Sequence, residues 1–95
     1  MNIQGKRILI IDDEPDIREF VSYNLLKKGY VVATAPDGFS GYELATKFEP
    51  DLILLDILMP GMNGYETCMK LRENSAFAKT QIVFLLTVPY LHCLF

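Results

Sequence analysis

Residues 6–15 read KRILIIDDEP, and this stretch decides how the chain folds. It opens on a short apolar run without alternation, the mark of a strand buried on both faces. Asp12, Asp13 and Glu14 stop the run. Pro15 then suits the first turn of a helix, with Asp13 or Glu14 as its cap. Ile17, Phe20, Val21 and Leu25 follow at helical spacing and predict an inner stripe, and Lys27, Lys28 and Gly29 make a helix end.

The same rhythm continues outward from this unit. Residues 30–35 (YVVATA) predict a second strand, closed by the turn signal Pro36-Asp37-Gly38. A second helix is expected over 40–48, with Gly41, Leu44, Ala45 and Phe48 inward, and Pro50 ends it. Residues 51–56 (DLILLD) read as a third strand, apolar through its middle. Pro60-Gly61 and Asn63-Gly64 mark a loop, and 65–74 predict a third helix with Tyr65, Cys68 and Leu71 inward. Residues 81–87 (QIVFLLT) predict a fourth buried strand. Strands alternating with helices imply right-handed βαβ units, so the fold class is α/β, a parallel sheet between helices. Residues 88–95 (VPYLHCLF) break the rhythm: they are nearly all apolar, with no Asp, Glu, Lys or Arg and no helix cap.

Ninety-five residues make one domain, 1–95. With 51% apolar and 22% charged residues, the composition is that of a globular chain and not a disordered one. The net charge of −3 argues against direct nucleic-acid binding, which needs a basic surface. The apolar runs at 52–55 and 82–86 fall far short of the ~18 residues that span a bilayer. The N-terminal apolar stretch ends after four residues in three acids, unlike a signal peptide. Cys68 and Cys93 form no CxxC pair, which argues against a disulfide framework or a structural zinc site. The expectation is a soluble cytoplasmic protein with no membrane partner.

In open parallel sheets, ligands bind outside the carboxyl ends of the strands. The first strand ends in Asp12 and Asp13, the third in Asp56 and the fourth in Thr87. If the first and third strands are neighbours, three carboxylates converge and repel one another unless a cation sits among their oxygens. An all-oxygen donor set favours a hard ion such as Mg²⁺. An Asp beside such an ion and a hydroxyl is placed to attack a phosphoryl group. Each residue alone has a plainer reading: the Asp pair as a cap, Asp56 as a loop entry, Thr87 as a β-branched strand residue. Their coincidence at strand ends favours the site.

LIIDDEP at 9–15, LILLDILMPGMNG at 52–64 and the hydrophobic strand ending in Thr87 resemble the receiver domain of two-component response regulators. The resemblance runs from about Lys6 to Val88. It implies a flavodoxin-like sheet of strand order 2-1-3-4. It implies that Asp56 accepts a phosphoryl group from a sensor histidine kinase or a small acyl phosphate. It implies Asp13 as a direct Mg²⁺ ligand, Asp12 as one acting largely through water, Asp56 itself, and the main-chain carbonyl of Leu58. Thr87 is then the hydroxyl that moves onto the phosphoryl group. The helix from Pro15, with Asp16, Ile17, Phe20 and Val21, is similar to the surface where kinases dock, although Ile17, Phe20 and Val21 also suit a core stripe. Such a domain is a signalling module and not an enzyme, although it assists its own phosphorylation and dephosphorylation.

Members of the family are longer, with a fifth strand, a fifth helix and a Lys just after that strand. Here no Lys follows Lys79, and Val88 and Pro89 stand where a small residue and a loop are usual. The expectation is a C-terminally truncated receiver whose fourth strand is an exposed edge, giving a homodimer through that edge or a tail, residues 90–95, folded back over the sheet. The alternative function is a phosphorylation-impaired receiver that only binds Mg²⁺ or protein. A phosphatase of the haloacid-dehalogenase type needs a second acid two residues after Asp56, where this chain has Leu58. His92, Cys68 and Cys93 read as incidental or apolar residues.

Overall fold

A computed structural model describes residues 5–86. In chain order these form β1 (Arg7–Ile11), α1 (Pro15–Lys27), β2 (Val31–Ala35), α2 (Gly38–Phe48), β3 (Leu52–Asp56), α3 (Gly64–Glu73), a 3₁₀ turn (Ser75–Phe77) and β4 (Gln81–Leu85). All three strand pairings are parallel, and the sheet order is β2-β1-β3-β4. This is the expected α/β architecture and strand order, a flavodoxin-like sheet. Residues 87–95, and with them Thr87, Val88, His92, Cys93 and the expected tail, lie outside the described residues.

Successive strand side chains point to opposite faces, so the apolar runs of β1 and β3 need cover on both. On one face Leu9, Ile11, Ile53 and Leu55 join Ala45 of α2, Leu71 of α3 and Phe77 in a core cluster, each at most 3% exposed. The other face carries Ile8 and Ile10, also buried. There right-handed crossovers place α1, opposite α2 and α3.

Helix α1 departs from its expected inner stripe. Ile17, Val21 and Leu25 are only half-buried, no residue of the helix is fully buried, and Phe20 is 69% exposed. A helix lying on a sheet edge contacts it along a narrow i, i+4, i+8 strip, and Phe20 sits beside that strip. Helix α3 departs similarly. Thr67 and Leu71 hold its inner face while Cys68 is half-buried. Tyr65 turns outward, its ring 5.2 Å from that of Phe84.

Expected buried, β4 instead exposes Val83 and Phe84, because among the described residues it has a neighbour, β3, on one side only. That agrees with the expected open edge. The helix caps also differ in detail. Glu14 occupies the cap position of α1 without a side-chain cap bond, and Asp12 Oδ1 takes the amide of Glu14 instead. Helix α2 starts two residues early because Asp37 caps it, accepting from the Ser40 amide at 2.8 Å.

Candidate functional site

The site follows from strand register. Ile11 of β1 pairs with Leu55 of β3, so the next residues, Asp12 and Asp56, emerge side by side at the carboxyl ends of the two central strands. Both are fully buried. Asp13 follows half-buried, and carboxylate oxygens of Asp12, Asp13 and Asp56 lie within 4.8 Å of one another. The three acids expected to converge do converge.

Each buried carboxylate is held by one oxygen. Asp12 Oδ1 accepts from the Glu14 amide at 2.9 Å, and Asp56 Oδ1 accepts from the Leu58 amide at 3.2 Å. Oδ2 of both residues is buried without a partner. Burial above all pushes the Asp12 carboxyl up to about 6; the Glu14 amide pulls it down, and the charge and closeness of Asp56 add to the rise. Burial and proximity to Asp56 raise Asp13 as well. Two orphaned oxygens in an all-carboxylate cluster are the donor set that a hard divalent cation requires, so the residues fit such an ion.

The segment after Asp56 is fixed at both ends. Met59 tucks into the core while the Leu58 side chain is exposed. Gly61 adopts φ +75°, a conformation open to glycine at little cost. Asn63 and Glu66 form a reciprocal capping box at the start of α3, a fuller role than the simple turn expected of Asn63. A Cβ on Gly64 would overlap the Asp56 carbonyl and lie 2.7 Å from Ile57 Cα, so only glycine lets α3 approach this closely. Thr67, fully buried and bonded to the Asn63 carbonyl at 2.9 Å, meets Gly38 across the α2–α3 contact.

A sequence model of the response regulator receiver domain matches residues 8–88. The chain belongs to this family. Among curated relatives, the receiver is 44% identical over 79 residues to the DNA-binding dual master transcriptional regulator RpaA of Synechocystis sp., covering 83% of this chain and 33% of that protein. The chain thus spans a third of that relative, and what the rest does belongs to the relative. Chemotaxis protein CheY4 of Vibrio cholerae has a solved structure 37% identical, with a TM-score of 0.83, covering 90% of this chain and 72% of that one. Response regulator TrrA of Thermotoga maritima, solved in complex with Mg²⁺-BeF, is 26% identical with a TM-score of 0.71, covering 93% and 92%.

A receiver domain is a signalling module of two-component systems and is not classed as an enzyme. The expected absence of nucleic-acid contact draws no support from these relatives, one of which is named as DNA-binding. Among the described residues no helix is long and apolar enough to cross a membrane. Sequence reasoning missed Arg18, whose Nη1 donates to the Asp12 carbonyl at 2.7 Å, and Thr67. No local signal marks either, whereas the Asn63-x-x-Glu66 spacing could have revealed the capping box.

Proposed function

We propose that this receiver takes a phosphoryl group on Asp56 from a sensor histidine kinase or a small acyl phosphate, in the cytoplasm, and changes its partner binding in response. The observation that carries the reading is the pair of buried, partnerless oxygens, Asp12 Oδ2 and Asp56 Oδ2, at neighbouring strand ends. An Asp56 carboxylate oxygen attacks phosphorus, the donor's P–N or P–O bond breaks with its electron pair leaving on the donor, and Asp56 becomes a mixed carboxylic–phosphoric anhydride. Asp13, Asp56 and the Leu58 carbonyl would hold a Mg²⁺ ion, with Asp12 acting largely through water. When bound, the ion neutralises charge on the carboxylates and on the incoming phosphoryl oxygens. The bond from the Leu58 amide orients Asp56, and the buried flank of Asp12 excludes bulk water from one side of it. Thr87 enters through the family resemblance alone, as the hydroxyl that meets the phosphoryl group. The exposed residues of α1, Asp16 and Phe20 among them, suit kinase docking, and the edge of β4, unpaired among the described residues, suits contact with a second copy.

Intact mass after brief incubation with acetyl phosphate and Mg²⁺, beside the Asp56→Asn variant, tests the reading. The expected result is gain of one phosphoryl group by the parent and none by the variant. No gain by the parent, with the fold intact and Mg²⁺ still raising the melting temperature, overturns phosphoacceptance and leaves a Mg²⁺- or protein-binding module.

A further inference from the structure

Arg18 lies one turn into α1, outside the acidic cluster, yet its guanidinium reaches back six residues to the main chain of the site. Nη1 donates to the Asp12 carbonyl at 2.7 Å, and the Arg18 amide donates to the Glu14 carbonyl at 3.1 Å. The Asp12 amide donates to the Ala35 carbonyl of β2 at 3.1 Å, and Asp12 Oδ1 accepts from the Glu14 amide at 2.9 Å. Every polar group of Asp12 is therefore committed except Oδ2, which is buried without a partner. The guanidinium grips the peptide that joins Asp12 to Asp13, and rotation of that peptide would swing both side chains at once. The guanidinium bonds a main-chain oxygen, while Oδ2 of Asp12 and Oδ2 of Asp56 are left without partners.

We infer that Arg18 is a positioning residue for the divalent-cation site: by clamping the Asp12–Asp13 peptide it presets the two carboxylates and keeps the Asp12 carbonyl turned away from them. The inference rests on the proposed reading of the cluster as a cation site. It has a distinctive sign. As a nearby positive charge, Arg18 disfavours a second cation, so electrostatics alone would make its removal tighten binding. As a clamp on the residues that carry the ligands, its removal weakens binding, as loss of outer-shell partners typically does by about 10–100-fold.

Calorimetric titration of the metal-free parent, Arg18→Met and Arg18→Lys with Mg²⁺ separates the two, with far-UV circular dichroism recording the fold of each. The expected result is a Kd about tenfold weaker in Arg18→Met, partly recovered in Arg18→Lys, which retains the charge and can donate a hydrogen bond but lacks the planar fork. Unchanged or tighter binding in a folded Arg18→Met overturns the clamp. If Arg18→Met does not fold, Arg18→Lys decides: weaker binding at an unchanged melting temperature supports the clamp, and parent-like binding overturns it. A parent that binds no Mg²⁺ overturns the cation site and the clamp together, whereas a binding parent with an indifferent Arg18→Met overturns the clamp alone.

Discussion

Asp12 and Asp56 stand one residue beyond the Ile11–Leu55 pair of two adjacent parallel strands, both fully buried, each with one oxygen unsatisfied. Placing two carboxylates so costs stability unless something positive joins them or a proton is taken up. The site is thus a local weak point in an otherwise apolar central sheet, and its energetics govern how the domain responds to pH and to divalent ions.

Metal-free protein should lose stability as pH rises from about 4 through about 6. The Asp12 carboxyl is raised from 3.8 to about 6 in the fold, so over this window the folded state holds a proton that the unfolded state has released. Asp13 shifts the same way. Asp37, lowered by the Ser40 amide and hydroxyl, acts in the opposite direction, but its contribution is already in place above its ordinary 3.8. Melting curves in chelator at about pH 5 and about pH 7.5 should show the higher midpoint at the lower pH, and saturating Mg²⁺ should flatten or reverse the difference. Identical midpoints in chelator would refute the assignment.

Asp56→Asn removes one of the clustered charges while keeping the side-chain shape. Without metal it should stabilise the domain by roughly 1–2 kcal/mol, a gain of several degrees in melting temperature for a chain this small. The same variant should lose most of the stabilisation that Mg²⁺ gives the parent. Thermal melts of both proteins, with and without Mg²⁺, provide the check.

Gly64→Ala should be destabilising by about 1–3 kcal/mol, because the new methyl would press on the main chain of Asp56 and Ile57 instead of on a movable side chain. Phosphoryl transfer should fall along with stability, since the displaced atoms belong to Asp56, the proposed acceptor, and its neighbour Ile57. Urea denaturation gives the first quantity and intact mass the second. A neutral effect on both would show that the loop shifts freely.

Phe20 and Phe77 should respond very differently to truncation. Phe77 is 3% exposed within the core cluster, and Phe77→Ala should cost about 3–5 kcal/mol. Phe20 is 69% exposed, so Phe20→Ala should stay within about 0.5 kcal/mol. Equal costs in a urea series would place Phe20 in the core after all.

The four strands were legible because each is a short apolar run ended by an acid, a turn signal or a polar residue. The three helices were legible from their spacing and punctuation, with ends wrong by one or two residues where a cap such as Asp37 reached further than propensity indicated. The convergence of the acidic trio was legible too, since residues at strand ends in an alternating α/β chain must meet at one rim. Which neighbours cover each side chain was not legible. Phe20, Tyr65 and Val83 carry the same apolar signal as Phe77, Leu71 and Ile53, and only the elements laid over them separate buried from exposed. The Arg18 clamp was hidden for a related reason, as its partner is a carbonyl brought within reach by the turn between β1 and α1. Sequence alone determined which elements form and which residues can do chemistry, because those properties are local and periodic. Tertiary structure decided the register that sets Asp12 beside Asp56, the contacts that orient them and the surfaces left open, because these depend on chain segments some forty residues apart arriving at the same place.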